Sequence, residues 1–434
     1  MSVKIIALCF SGLVFASGCN NGAINLEQDA GVDGNQADAG VDAGTDAGAD
    51  DNQTDAGVDA GTDAGAGDNQ TDAGVDAGTD AGQDAGGDED TSGTYISAVT
   101  GEMVSPYMTT SPFKEPAEFG NATLRLDGGS TSDIVDAIDS LSGSGGTLIA
   151  TGTFSGSSCV RISGKSNVRV VGEGATIHVS GGDGFSDDKS GFLLSNSSSI
   201  SIEGFTIDAS SGHGILVFGG CNNIRIRRNH VVASLRSSII FYSDGEYTTN
   251  FEISENVCEN FGNEAPVGGN SHHGIVTRFV KYGLVIGNFA DGSKNIGMSR
   301  MGMDLSTNSW LVESCHNKVA ATNYGAKIGY SQTQYVYFHD NYINSMNDGH
   351  HSDKAFYIHR TLGGPIFLEN NIFWDDYLST GTYDLSGAGC SGGIVYMVNN
   401  RDKNGDPATA NKCDQDVAGS PPPDVMNVFE TIGD

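Results

Sequence analysis

A two-part pattern recurs along the chain and constrains its fold more than any other feature. Gly214-Ile215-Leu216-Val217 is followed by Ile224-Arg225-Ile226-Arg227-Arg228-Asn229. Ser238-Ile239-Ile240-Phe241 is followed in the same way by Phe251-Glu252-Ile253-Ser254-Glu255-Asn256. Gly325-Ala326-Lys327-Ile328 with Val336 to Asn341, and Ala355-Phe356-Tyr357-Ile358 with Ile366 to Asn371, repeat it again. Looser copies start at Gly274-Ile275 and Gly302-Met303, and Asn167 to Val170 and Ser199 to Ile202 resemble earlier coils. One such unit cannot bury its apolar side chains alone, but stacked units bury a continuous column. The strands are too short, and the helices between them too few, for βαβ units. A β-sandwich, the rival architecture, would show hairpin turns in place of this fixed register.

Alternation along the first strand of each unit predicts Ile215, Ile239, Ile275, Met303, Ala326 and Phe356 inside. Asn229, Asn256, Asn341 and Asn371 share one register, with Cys315 in that place in a looser copy. Stacked, they predict an asparagine ladder running from coil to coil. The expected fold is all-β, a right-handed single-stranded parallel β-helix with a short capping helix. That helix is read over Ser132 to Leu141, with Ser132 as its cap and Ile134, Val135, Ile138 and Leu141 on one face.

The Gly-Ile strand followed by Ile-x-Ile-x-x-Asn resembles the parallel β-helix repeats of the pectate-lyase-like superfamily, over roughly residues 120–400. The resemblance implies this fold. It leaves the reaction open, because the superfamily includes lyases, hydrolases, epimerases and members without catalysis. It also implies a substrate groove on the outward face of the first strands. The outward positions read there are Leu216 and Phe218, Ile240 and Tyr242, Val276 and Arg278, Asp304 and Ser306, Lys327 and Gly329, and Tyr357 and His359. Gly214, Ser238, Gly274, Gly302, Gly325 and Ala355 are read as a small outward floor beside them.

Arg278, Asp304, Lys327, Tyr357 and His359 are therefore the catalytic candidates. Removal of the proton at carbon five of a uronic acid needs a base and cations for the growing carboxylate charge. Asp304 beside Lys327 keeps that lysine charged, which leaves Tyr357 or His359 as the base. The bland alternative is a surface ion pair of small energetic value. Tyr242, His272, His273 and Trp374 are read as substrate-binding. Insertions at 259–272, 344–353 and 375–392 are expected to wall the groove and bring His350, His351 and Asp353 nearby.

Hydrolysis needs two carboxylates about the bond, and only Asp304 lies in the row, with Asp348 or Asp353 as loop candidates. Gly212-His213-Gly214 resembles a polygalacturonase motif whose other parts are missing, and the epimerase Asp-Pro-His-Asp is absent. Neither adjacent histidine pair can chelate a metal unaided, and no CxxC pair suggests zinc. Calcium is the one cofactor with candidate groups, at Asp183, Asp187 and Asp188 and at Asp402, Asn404 and Asp406. Both groups read first as solvated turns.

The flanking sequence gives the setting. Lys4 and the apolar run Ile5 to Ala16 read as an export signal too short to span a bilayer. Ala16-Ser17-Gly18-Cys19 resembles a bacterial lipobox, so residues 1–19 predict lipidation of Cys19. Residues 20–93 contain no lysine or arginine and repeat Asp-Ala-Gly. They offer too little apolar area to order and are expected to form an extended acidic tether. Residues 94–434 are the β-helix domain on this reading.

Export favours disulfides among the six remaining cysteines, with Cys390–Cys413 as the pairing read from the sequence. The expected partner is a polysaccharide, met by a lipid-anchored monomer of the bacterial cell envelope, and not nucleic acid. Polysaccharide lyase or uronate epimerase on an acidic glycan is the favoured reading. A glycan-binding adhesin and an envelope spacer are the alternatives. The folded part is itself net negative by about fifteen, which counts against a polyanionic substrate unless the groove is locally basic.

Overall fold

The computed structural model describes residues 94–434 apart from 117–118, 142, 144, 182–185, 263–271, 294–299, 322–323, 330–331, 346–353, 360–362, 376–382, 385–393, 409, 412–416, 419–425, 427–428 and 430–434. The export signal with Cys19, the acidic repeat, Asp183, His350, His351, Asp348, Asp353, Cys390 and Cys413 lie outside the described residues.

The repeat winds as a parallel β-solenoid. Each full coil gives one strand to each of three stacks, as in Ile239–Tyr242, Thr248–Ser254 and Val257–Glu259. We call these stacks the first, second and third sheets. The first runs in register from Val160–Ser163 to Ala410–Asn411. The second and third are joined at the start by the long strand Gly146–Gly156, which pairs with both.

Side chains alternate as the sequence predicts. Ile215, Ile239, Ile275, Met303, Ala326 and Phe356 pair in one row and are fully buried. Ile207, Val231, Cys258, Ala290, Val319, Ile343 and Phe373 form the facing row of the third sheet. These rows and those of the second sheet make one continuous apolar column. The helix Thr131–Ser140 packs Ile134 and Ile138 against the first strands of that column. Its cap is Ser130, not Ser132: Ser130 accepts from the Asp133 amide while Asp133 receives the Ser130 amide, a capping box.

The asparagine ladder is longer than the sequence suggested. Asn229, Asn256, Asn288, Asn317, Asn341, Asn371 and Asn400 lie in line, each but the last donating its side-chain N–H to the next carboxamide oxygen at 2.9–3.2 Å. Each of the first six also donates its backbone N–H to that same oxygen. Asn317, two residues on, takes the place assigned to Cys315. Cys315 instead ends a second-sheet strand, opposite Ile286 and His339.

The residue before each ladder asparagine, from Arg228 through Asp340 to Asn399, has positive φ. For residues other than glycine that conformation costs about 1–2 kcal/mol. The stacked amides offset it by satisfying every sharp turn.

The expected disulfides are not found among the described cysteines. Cys159, Cys221, Cys258 and Cys315 are buried thiols. Cys221 and Cys258 belong to the interior column and the other two to separate outer clusters. Burial pushes Cys258 up to about 12, which makes it inert packing.

Asn317→Ala should strand the Asn288 amide and the Val285 carbonyl inside the molecule. The expected loss is about 1–3 kcal/mol for each unsatisfied group, read as a lower urea midpoint with an unchanged denaturant slope.

Candidate functional site

The outward face of the first sheet holds most of the predicted row, with one correction. The small residues do not line a floor. A Cβ placed on Gly214, Gly274, Gly302 or Gly325 would meet Val231, Ala290, Val319 or Ile343 of the third sheet at 1.7–2.7 Å. Ser238 and Ala355 of the same row are fully buried. The row therefore faces the interior, where the chain turns tightly from the third sheet into the first. His273, the residue before Gly274, comes to the outer side instead. It places its Nε2 3.4 Å from the Asp304 carboxylate. The recurring His213-Gly214 and His273-Gly274 pairs carried that signal in the sequence.

Val276, Asp304, Lys327 and Tyr357 stand in one vertical line, each a strand spacing from the next. Arg278, just past its strand, reaches over to Asp304 with Nη2 to Oδ2 at 2.7 Å. Asp304 is fully buried. Burial alone would favour its neutral form, but Lys327, Arg278 and His273 outweigh it and hold the carboxyl far below the usual range. His273 is the reverse case. Burial keeps its imidazole neutral, and the cations Arg278 and Lys327 push in the same direction against the attraction of Asp304. Asp304 Oδ1 and His273 Nε2 are buried polar atoms that accept or donate no hydrogen bond. Such atoms are costly unless a ligand or water meets them.

The other predicted residues are placed as follows. Tyr357 is half-buried and stacks on Tyr324 at 4.9 Å between ring centres. His272, expected on a wall loop, opens the strand His272–Thr277 and is buried with His273. Tyr242 lies against Phe218 and Phe279 at the side of the row, and burial with nearby Asp244 raises its phenol. His359 pairs with Gly329 on the first sheet, which keeps its place in the row. Trp374 is on the third sheet opposite Asn344, away from the outward face of the first. The side chains of His359 and Trp374 lie outside the described residues. Most of the wall insertions lie there too.

Neighbouring His213 is buried, with its Nδ1 accepting the Ser237 amide and its Nε2 3.9 Å from Asp187. Burial, assisted by Arg236, lowers it to about 3. The calcium candidates find protein partners. Asp188 pairs with Arg161. Asp402 Oδ1 accepts the Asn404 and Asp406 amides, so that carboxylate closes its own turn.

Sequence reasoning missed a second polar group, on the outward face of the second sheet. The segment 94–115 crosses that face. Glu252 receives Tyr95 and Ser111, and Glu255 receives the Ile96 amide with Arg227 and Arg228. Glu313 receives the Tyr107 and Met108 amides at 2.5 and 2.8 Å. Glu313, Cys315 and His339 meet there, all buried. Burial disfavours a charged His339, but hydrogen bonds to Asp340 and Glu313 outweigh it and raise the imidazole to about 9.

No family model and no curated protein sequence matches this chain. Solved structures do resemble it. An alginate lyase from Paenibacillus sp. str. FPU-7 is 13% identical with a TM-score of 0.50, over 66% of this chain and 96% of that one. The A-module of the Azotobacter vinelandii mannuronan C-5 epimerase AlgE4 is 12% identical with a TM-score of 0.44, over 71% and 98%. A pectate lyase from Bacillus sp. N165 is 16% identical with a TM-score of 0.35, over 72% and 94%. At such identities likeness concerns the fold alone, and the first of these bears out the parallel β-helix.

A histidine buried neutral is protonated on unfolding, so its folded pKa lies below its unfolded one. The stability this gives is complete above pH about 6.5 and is lost as pH falls toward about 3. For His213 the slope is about 1.4 kcal/mol per pH unit across that window. His213→Asn should flatten the acid limb of a urea-midpoint profile against pH.

Proposed function

We propose that the domain is a polysaccharide lyase or C-5 epimerase acting on a uronate-containing glycan. The observation that carries this reading is the charge of the buried group on the first sheet. Arg278 and Lys327 share one ionised carboxylate, Asp304, which leaves one net positive charge among these three side chains. Residues beyond 93 carry about fifteen more carboxylates than cations. A locally cationic group on such a molecule suits a sugar carboxylate.

In elimination, the C-5 proton leaves to a base, the C-4–oxygen bond breaks, and a double bond forms between C-4 and C-5. An epimerase instead returns a proton to the opposite face. On this reading Arg278 and Lys327 hold the substrate carboxylate, where negative charge grows as the proton leaves. His273 carries the charge state of a base, and Asp304 stabilises the imidazolium formed on proton uptake. Tyr357, on the coil after Lys327, supplies the second proton-transfer group. His273 thus replaces His359 as the favoured histidine. The solved alginate lyase supplies a fold that houses such chemistry, while the argument rests on these side chains. By the sequence reading, a lipid on Cys19 and the acidic repeat would hold the domain at the cell envelope.

A second reading, glycan binding without catalysis, draws on aromatic residues at the start of the second-sheet strands. Lys281 Nζ lies 3.9 Å from the Tyr247 ring centre and 4.9 Å from Trp310, and Tyr282 packs on Trp310.

The test incubates the domain with alginate, pectate and glycosaminoglycans. Absorbance of the unsaturated product reports elimination, and deuterium uptake at C-5 reports epimerisation. Arg278→Ala or Lys327→Ala should lower kcat/KM by about 10²–10³, with His273→Gln at least as severe. Binding without either signal would favour the second reading, and no binding to any uronate polymer would sink both.

A further inference from the structure

The outward group on the second sheet has the makings of a metal centre. Glu313 and Cys315 are two apart on the strand Trp310–Cys315, so alternation puts both on one face. His339 stands directly across from Cys315 on the next coil. The three donor atoms all lie within 4.8 Å of one another. Cys315 Sγ is 3.5 Å from Glu313 Oε1, and His339 Nε2 is 2.9 Å from the same oxygen. A tetrahedral ion with bonds of roughly 2.0 Å to nitrogen and oxygen and 2.3 Å to sulfur needs edges of about 3.3–3.5 Å. The sulfur–oxygen edge meets this, and the nitrogen–oxygen edge needs to open by a few tenths of an ångström.

We propose that Glu313, Cys315 and His339 bind one divalent transition metal, with zinc the best match to the donor set. Thiolate and imidazole select such an ion over calcium, which takes oxygen donors. The group has an outer partner too. His339 Nδ1 is 2.8 Å from Asp340, the carboxylate–histidine arrangement that fixes a ligand ring and raises its basicity. Glu313 Oε2 keeps the Met108 amide, so the carboxylate binds through Oε1 and a water takes the fourth place.

Metal entry requires the Cys315 sulfur and His339 Nε2 to be free of protons, so binding should strengthen as pH rises. The centre also ties two coils to the segment that brings Tyr107 and Met108, which predicts that metal binding holds that segment down.

The test uses the full chain, freed of metal and then titrated with Co²⁺. A thiolate-to-cobalt charge-transfer band should appear at one equivalent, vanish in Cys315→Ser, and survive in Cys159→Ser. Asp340→Asn, at a half-exposed position, should fold normally and bind about 10–100-fold more weakly. Zn²⁺ should raise the melting temperature of the parent and not of His339→Gln. Metal uptake without a thiolate band, undiminished uptake in Cys315→Ser and His339→Gln, or no uptake at all would each overturn the proposal. Lyase and epimerase assays play no part in it, so its failure leaves the reading of the first sheet untouched.

Discussion

Everything distinctive in this molecule depends on vertical register. Side chains separated by one coil in sequence are held a strand spacing apart in space, and the asparagine ladder locks that spacing at each turn between the second and third sheets. The ladder amides are buried and fully bonded, so a slip of one residue would strand a donor and an acceptor at every step. Residues in left-handed backbone before each asparagine show what this arrangement tolerates to keep the turn.

Two outward faces of the same column have different fates. The face of the second sheet is closed over by the N-terminal segment, with Met426 and Phe429 packed beside it. Its buried carboxylates accept hydrogen bonds from that segment, Glu252 from hydroxyls and Glu255 and Glu313 from backbone amides. The face of the first sheet holds Asp304 and His273, which keep buried atoms without partners. Buried polar atoms of this kind are costly, and a ligand, an ion or a water can meet them.

The column and its register were legible because period-two alternation and a recurring asparagine are local properties that survive stacking. The sequence placed Ile215 through Phe356 inside and put Asp304, Lys327 and Tyr357 in one line. It misjudged the glycines, because strict alternation breaks at the corner where Gly302 abuts Val319. That break moved His273 from a loop wall to the side of Asp304. Glu313, Cys315 and His339 escaped notice because their meeting depends on which residues of looser copies fall opposite one another. The miscounted Asn317 hid that register. Segment 94–115 carries no repeat, so nothing in its sequence announces that it docks on Glu252, Glu255 and Glu313.

The one-residue-per-coil supply of the outward line has a consequence for how such a surface changes through deletion or duplication. A whole coil inserted between Asp304 and Lys327 would leave every turn and core contact of its own type intact. It would still move the two charges apart by an extra step of about 4.8 Å and remove the lysine from the carboxylate it now faces. Chemistry on this scaffold is therefore more fragile to changes in coil number than the scaffold itself, and two chains of equal stability and near-equal sequence can differ wholly in what that face accomplishes.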